Sequence, residues 1–163
     1  MSSLPSPPEN WFADRTAVLA TMHRKERVIA PLLASLKLQV TVPSEFNTDR
    51  FGTFSREIAR SGTQLEAARQ KVIAAMELTG CTIGIASEGS FGPHPAMPFL
   101  PSNRELVILL DRQHNLEVIG EAISTQTNYR QTQVRSWEAA WQFAQQVGFP
   151  SHGLIVIGVA ASV

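Results

Sequence analysis

Apolar positions follow two rhythms along this chain, and the switches between them predict its elements. Thr16-Ala17-Val18-Leu19-Ala20-Thr21 is a short apolar run bounded by polar residues, the mark of a buried strand. Behind it Val28, Leu32 and Leu36 recur every four residues and make one helical face, with Pro31 expected to sit near the start of that helix or to kink it. Leu38-Gln39-Val40-Thr41-Val42 alternates as far as Pro43 and reads as a second strand. Strand, helix and strand in that order predict a βαβ unit with parallel strands. The polar stretch Ser44–Gly62, anchored by Phe51, Phe54 and Ile58, is too long for a tight connection and reads as a working loop with a helical turn.

The clearest helix runs from Thr63 to Leu78, where Leu65, Ala68, Val72, Ala75 and Met76 return every three or four residues. Thr63 with Glu66 three residues on is a capping box, and Gly80 is the expected stop. Cys81–Ala86 is a third apolar strand, which runs into a Gly- and Pro-rich loop, Ser87–Pro95. Leu106–Leu110 and Leu116–Ile123 read as a hairpin turning through Asp111–Asn115. Ser136 caps a helix over Trp137, Ala140, Trp141, Ala144 and Val147, which closes at Gly148 and Pro150. Leu154–Ile157 reads as a last strand. The fold class expected is α/β, with helices packed on a mixed, mostly parallel sheet. Residues 1–15, with three prolines, are expected as a flexible N-terminal arm and residues 16–163 as a single α/β domain.

Composition narrows the function classes. The 14 Lys and Arg are balanced by 14 Asp and Glu, which argues against a nucleic-acid binder, whose footprint is a basic excess. A single cysteine, Cys81, allows neither a disulfide within the chain nor a Cys-based zinc site, and its apolar setting reads as a buried, inert thiol. No apolar run approaches the roughly 20 residues of a spanning helix. The proline-rich N-terminus has no basic and apolar leader pattern, so a cytoplasmic location is expected.

Three segments could carry chemistry. Thr21-Met22-His23-Arg24-Lys25-Glu26 lies where the first strand hands over to the first helix, the place in an α/β sheet that attracts anions. There Thr21 offers a hydroxyl, His23 a donor and Lys25 a point charge for phosphate; a solvated first turn explains them about as well. In the second segment Glu66 is accounted for by the capping box alone, while Arg60, Arg69 and Lys71 are either ligand contacts or solvent-facing charges. The Ser87–Pro95 loop concentrates Glu88, Gly89, Ser90, Gly92 and His94 at a strand end, more than a merely connecting loop needs. His114 reads as solvated, and Trp137 and Trp141 as core on one helix face.

Taken together, Asp49–Phe54, Arg60–Arg69 and Ser87–Pro95 resemble a bacterial family of uncharacterised proteins, a domain of unknown function, over about residues 16 to 157. The resemblance implies no activity. It implies that longer relatives continue into a Cys-rich, zinc-binding tail, a region beyond Val163. A second resemblance, at the level of fold, is to the inosine-triphosphatase-like (Maf/Ham1) nucleotide pyrophosphatases. Thr21-x-His23-x-Lys25 is similar to their phosphate loop, with His for Asn and one residue fewer before the lysine. Thr63, Glu66, Ala68 and Lys71 match their acidic helix in spacing, and Gly84-Ile85-Ala86-Ser87-Glu88-Gly89 resembles their acidic strand end, with one carboxylate where many members have two.

That second resemblance implies a metal-dependent nucleoside-triphosphate or phosphoanhydride hydrolase. Glu66 and Glu88 would be the catalytic carboxylates and hold Mg²⁺. Thr21, His23, Lys25, Arg60, Lys71, Ser90 and His94 would bind the substrate. The competing expectations are a non-catalytic nucleotide- or anion-binding module and the structural half of a larger, zinc-tailed protein. The partner expected is a small phosphate-bearing ligand, with a homodimer admitted and neither nucleic acid nor membrane.

Overall fold

The computed structural model describes residues 11–21, 25–44, 46 and 63–158. Among the described residues five strands and three helices follow one another: β1 (Thr16–Ala20), α1 (Glu26–Ala34), β2 (Gln39–Thr41), α2 (Gln64–Thr79), β3 (Ile83–His94), β4 (Met97–Asp111), β5 (Leu116–Ser124) and α3 (Trp137–Gln146). The strands form one sheet in the order β2-β1-β3-β4-β5. β1 is parallel to both β2 and β3, with Ala17 opposite Val40 and Ala20 opposite Ala86. Only Pro95 and Ala96 join β3 to β4, a connection that an antiparallel pair alone can close. The expected α/β class and mixed sheet are therefore what the chain adopts. The expected inner working loop falls almost wholly outside the described residues, as do His23 and Arg60.

The alternation of β1 and β3 builds two cores. Val18, Ala20, Ala86, Leu106 and Ile108 face α2 and pack on Ala68, Val72, Ala75 and Met76. Ala17, Leu19, Ile83 and Ile85 face the other way, onto Ile29 and Leu33 of α1. The crossover from β1 to β2 runs through α1 and the one from β2 back past β1 to β3 runs through α2; crossing the sheet in opposite directions, they put α1 and α2 on opposite faces by the right-handed rule. Gly84 is needed where α2 crosses β3, because a Cβ there would lie 2.5 Å from Val72 Cγ2 and 2.6 Å from Met76 Cγ.

The helix ends carry much of the local encoding. Thr63 Oγ1 accepts from the Glu66 N–H at 3.2 Å and Glu66 Oε2 accepts from the Thr63 N–H at 2.5 Å, the reciprocal box that satisfies two orphan donors. Gly80 closes the helix in the left-handed conformation, φ 73°. Replacing Thr63 by Ala should lower stability by about 1 kcal/mol, the usual worth of an N-cap. A urea melt checks this, and an unchanged midpoint would show α2 held by packing alone. α3 begins as expected, with Ser136 Oγ accepting from the Ala139 N–H.

Several expectations are corrected. Ser87–His94 is strand rather than loop: beyond Ala86 the strand loses β1 as a neighbour but keeps β4, and this edge-like arm tolerates Gly89, Gly92 and Pro93. β4 correspondingly starts at Met97, nine residues before Leu106. Leu154–Ile157 is not a strand. Pro31 lies inside α1 without ending it, forfeiting one backbone bond on an exposed surface. The core-facing side of α1 is Ile29 and Leu33, both partly buried, while Val28, Leu32 and Leu36 face solvent. Just before β1, Phe12 is partly buried against the α1-side core.

The chain divides into two compact units, residues 1–90 with 104–122, and residues 91–103 with 123–163. The first unit holds both cores. In the second, Trp137 and Trp141 were expected as core but are 74% and 45% exposed; they stack on each other with centroids 6.1 Å apart, and Phe149 meets Trp141 edge-on. Among the described residues no helix is long and apolar enough to cross a membrane.

Candidate functional site

The order of the strands decides where a ligand could sit. From β1 the chain moves to β2 on one side and returns to β3 on the other, so the sheet has its switch point between β1 and β3. Crevices of this kind open at the carboxyl ends of the strands. α1 starts just after β1, and α2 runs back against β3, so both helices begin at that same edge. Among the described residues no side chain caps the N-terminus of α1. Thr21, buried, follows β1 and donates its N–H to Leu19 O at 3.1 Å.

Two ion pairs flank this edge, one on each face of the sheet. On the α1 face, Lys25 Nζ lies 3.2 Å from Glu105 Oε2, with side chains 35% and 43% exposed. Gly89 sits against that pair: a Cβ on it would come within 2.7 Å of Glu105 Oε1. By strand alternation Ser87 shares this face, and its Oγ is buried without a hydrogen-bond partner among the described residues. On the α2 face, Lys71 Nζ pairs with Glu88 Oε1, and both side chains are nearly buried. Gln64 ties the same corner together. Its Nε2 donates to Glu88 O at 2.7 Å and to Arg104 O at 3.2 Å, and Ser90 Oγ donates to its Oε1 at 3.3 Å.

The expected site residues thus separate. Thr21 and Lys25 lie at the switch point, with His23 between them outside the described residues. Lys71, Glu88 and Ser90 form a closed polar knot under the start of α2. Glu66 is exposed and engaged in the capping box; first the Thr63 backbone N–H and then its hydroxyl hold its carboxyl below the usual range. His94 belongs to the second unit, where its Nδ1 accepts from the Ala96 and Met97 N–H groups at 3.2 Å and so pins the β3–β4 turn. The two carboxylates expected to hold Mg²⁺ fit that task poorly, since one caps a helix and the other neutralises a buried lysine. Among the described residues no group of three or more His, Cys, Asp or Glu gathers to hold a metal ion.

Two constellations escaped the sequence reading. Glu105, inside an unremarkable strand, is the partner of Lys25. At the opposite end of the sheet Asp111, fully buried, receives both guanidinium nitrogens of Arg15 at 2.6 and 2.8 Å. It also accepts from the Gln113 N–H at 2.9 Å and lies 2.6 Å from His114 Nδ1. The same His114 Nδ1 lies 3.2 Å from Arg15 Nη1, so all three side chains meet at one point. Trp11 stacks flat on the His114 ring at 4.9 Å, so this histidine is held rather than solvated.

A family model for a domain of unknown function, DUF6671, matches residues 71–161, more than half of the chain. The chain belongs to the DUF6671 family. The DUF6671 match opens at Lys71 and takes in Glu88, Glu105 and Asp111, the acidic partners of all three pairs, while Arg15, Thr21 and Lys25 precede it. Curated proteins give no match. Among solved structures, a competence-damaged protein (CinA) superfamily protein from Klebsiella pneumoniae is 19% identical, over 85% of this chain and 81% of that one, with a TM-score of 0.34. The inosine-triphosphatase-like assignment draws no support from that likeness, and the mixed α/β class is what stands.

Proposed function

We propose that this protein is a binding module for a small phosphate-bearing ligand of the nucleotide class, seated beyond the carboxyl end of β1 and beside Ser87–Gly89 of β3, on the α1 face. The observation that carries this reading is the switch point itself, with Lys25 and the uncapped start of α1 beside it. Backbone N–H groups at a helix start and a lysine point charge are what a phosphate needs. Gly89 supports the reading by leaving the strand bare at this point, and Ser87 Oγ by offering a buried hydroxyl that a ligand oxygen would satisfy. The engagement of Glu66 and Glu88 favours binding without hydrolysis. Mg²⁺ then enters as the counter-ion of the nucleotide rather than as a resident cofactor.

Calorimetry with ATP, inorganic triphosphate and adenosine tests this, with and without Mg²⁺ and with a chelator. Binding of the two phosphate-bearing probes, little binding of adenosine and no release of phosphate are expected. Lys25→Ala should weaken ATP about tenfold and adenosine hardly at all, the low end of a charged hydrogen bond at a half-exposed site. The difference should shrink as salt is added. Equal losses for ATP and adenosine would remove Lys25 from the site, and turnover abolished by the chelator would restore the hydrolase reading.

A further inference from the structure

We propose that Glu105 is a built-in competitor for the phosphate site and thereby selects ligands carrying several linked phosphates. This deepens the phosphate-ligand reading and rests on it. The carboxylate lies 3.2 Å from the ammonium that reading assigns to the ligand, and both groups remain open to solvent. It comes from β4, 80 residues away in sequence, and is therefore carried to Lys25 by the sheet and not by a flexible neighbour. The bare backbone of Gly89 gives it room, since a Cβ there would collide with Glu105 Oε1.

A tethered carboxylate competes at an effective concentration that free orthophosphate reaches only in the millimolar range or above. An anion with one phosphate exchanges one contact for a similar one and also meets the repulsion of the displaced Glu105. A chain of phosphates meets that repulsion too, but it brings further oxygens for the α1 N–H groups, contacts that Glu105 does not contest, so it wins the exchange. Glu105 accordingly suppresses binding of orthophosphate and monoesters more than that of triphosphates, by a mechanism that needs no contact between Glu105 and the ligand.

The test compares wild type, Glu105→Gln and Glu117→Gln in titrations with orthophosphate, inorganic triphosphate and ATP at low salt. Glu117 is the matched control: it too is a half-exposed carboxylate paired with a cation, Arg69, and its loss changes net charge equally. Glu105→Gln should tighten triphosphate and ATP roughly three- to tenfold and orthophosphate by more, narrowing the selectivity between them. Unchanged or weaker binding in Glu105→Gln, or an equal gain in Glu117→Gln, overturns the inference while the phosphate site stands. If neither wild type nor Glu105→Gln binds ATP or triphosphate, the phosphate-ligand reading fails with it.

Discussion

Asp111→Asn is expected to be among the most destabilising single changes in the chain, by about 3 kcal/mol, because it strands Arg15 at a largely buried site. In a protein of this size that is roughly a 6 to 12 °C fall in Tm. The amide keeps the shape, so the loss measures the charge. The Arg15 guanidinium, first, and then the His114 ring and the Gln113 N–H hold the Asp111 carboxyl well below the usual carboxylate range. The unfolded chain therefore takes up this proton before the folded one does. The stabilisation is complete above the unfolded value of about 3.9 and is lost progressively as pH falls below it towards the folded value. Urea melts should show the gap between wild type and Asp111→Asn widest from about pH 5 to 8 and closing towards pH 2. A gap of constant size would mean that the amide fails through packing. Arg15→Met, which removes the cation and leaves the buried carboxylate, should fail at neutral pH and recover part of the gap in acid, where Asp111 can be protonated.

The helices and the inner strands were legible because their signals are local. The capping box at Thr63, the stop at Gly80, the Ser136 cap and the apolar runs of β1 and β3 each sit within a few residues, and each element formed there. The Ser87–Pro95 arm was misread because glycine and proline report on backbone tolerance, not on the presence of a partner strand. β4 supplies that partner from the far side of the turn, and no local rule sees it. α1 misled in another way. A spacing of four names a face but not the side it takes, and Ile29 and Leu33 share nearly the same period as Val28 and Leu32. Trp137 and Trp141 share one helix face as their spacing requires, yet that face lies open, so periodicity gave the geometry and not the burial.

The site was legible unevenly: both members of Lys71–Glu88 stood out, one of Lys25–Glu105, and neither of Arg15–Asp111. Lys25 stood out beside a helix start, Glu88 after an apolar run that reads as a strand, and Lys71 by its spacing from Glu66 in α2. Glu105 and Asp111 look like ordinary residues in a hairpin, and their meaning comes from partners 80 and 96 residues away. Charge neutrality gave the only warning: 14 cations against 14 anions leave no basic excess for a phosphate site, and each candidate lysine holds a carboxylate. A reading that counts cations at a strand end needs to ask which anions the sheet will bring to them.

The pair Lys71–Glu88 separates support from recognition. Glu88→Ala should cost about 3 to 5 kcal/mol, since it leaves a nearly buried ammonium without its counter-charge. Lys71→Ala should cost a similar amount from the other side. The double variant Lys71→Met/Glu88→Met removes both charges and keeps most of the volume, so its stability should return to within about 1 kcal/mol of wild type. Such strong coupling is expected of two groups in contact and is measured directly by the four-protein cycle. Because this pair lies on the α2 face and Lys25 on the other, the double variant should bind ATP within about twofold of wild type. Near-native stability with ATP binding lost would instead put the Lys71 ammonium in reach of the ligand and move the site to the α2 face. Separate and additive costs, with no recovery in the double variant, would show that the two side chains act through independent packing rather than through their charges.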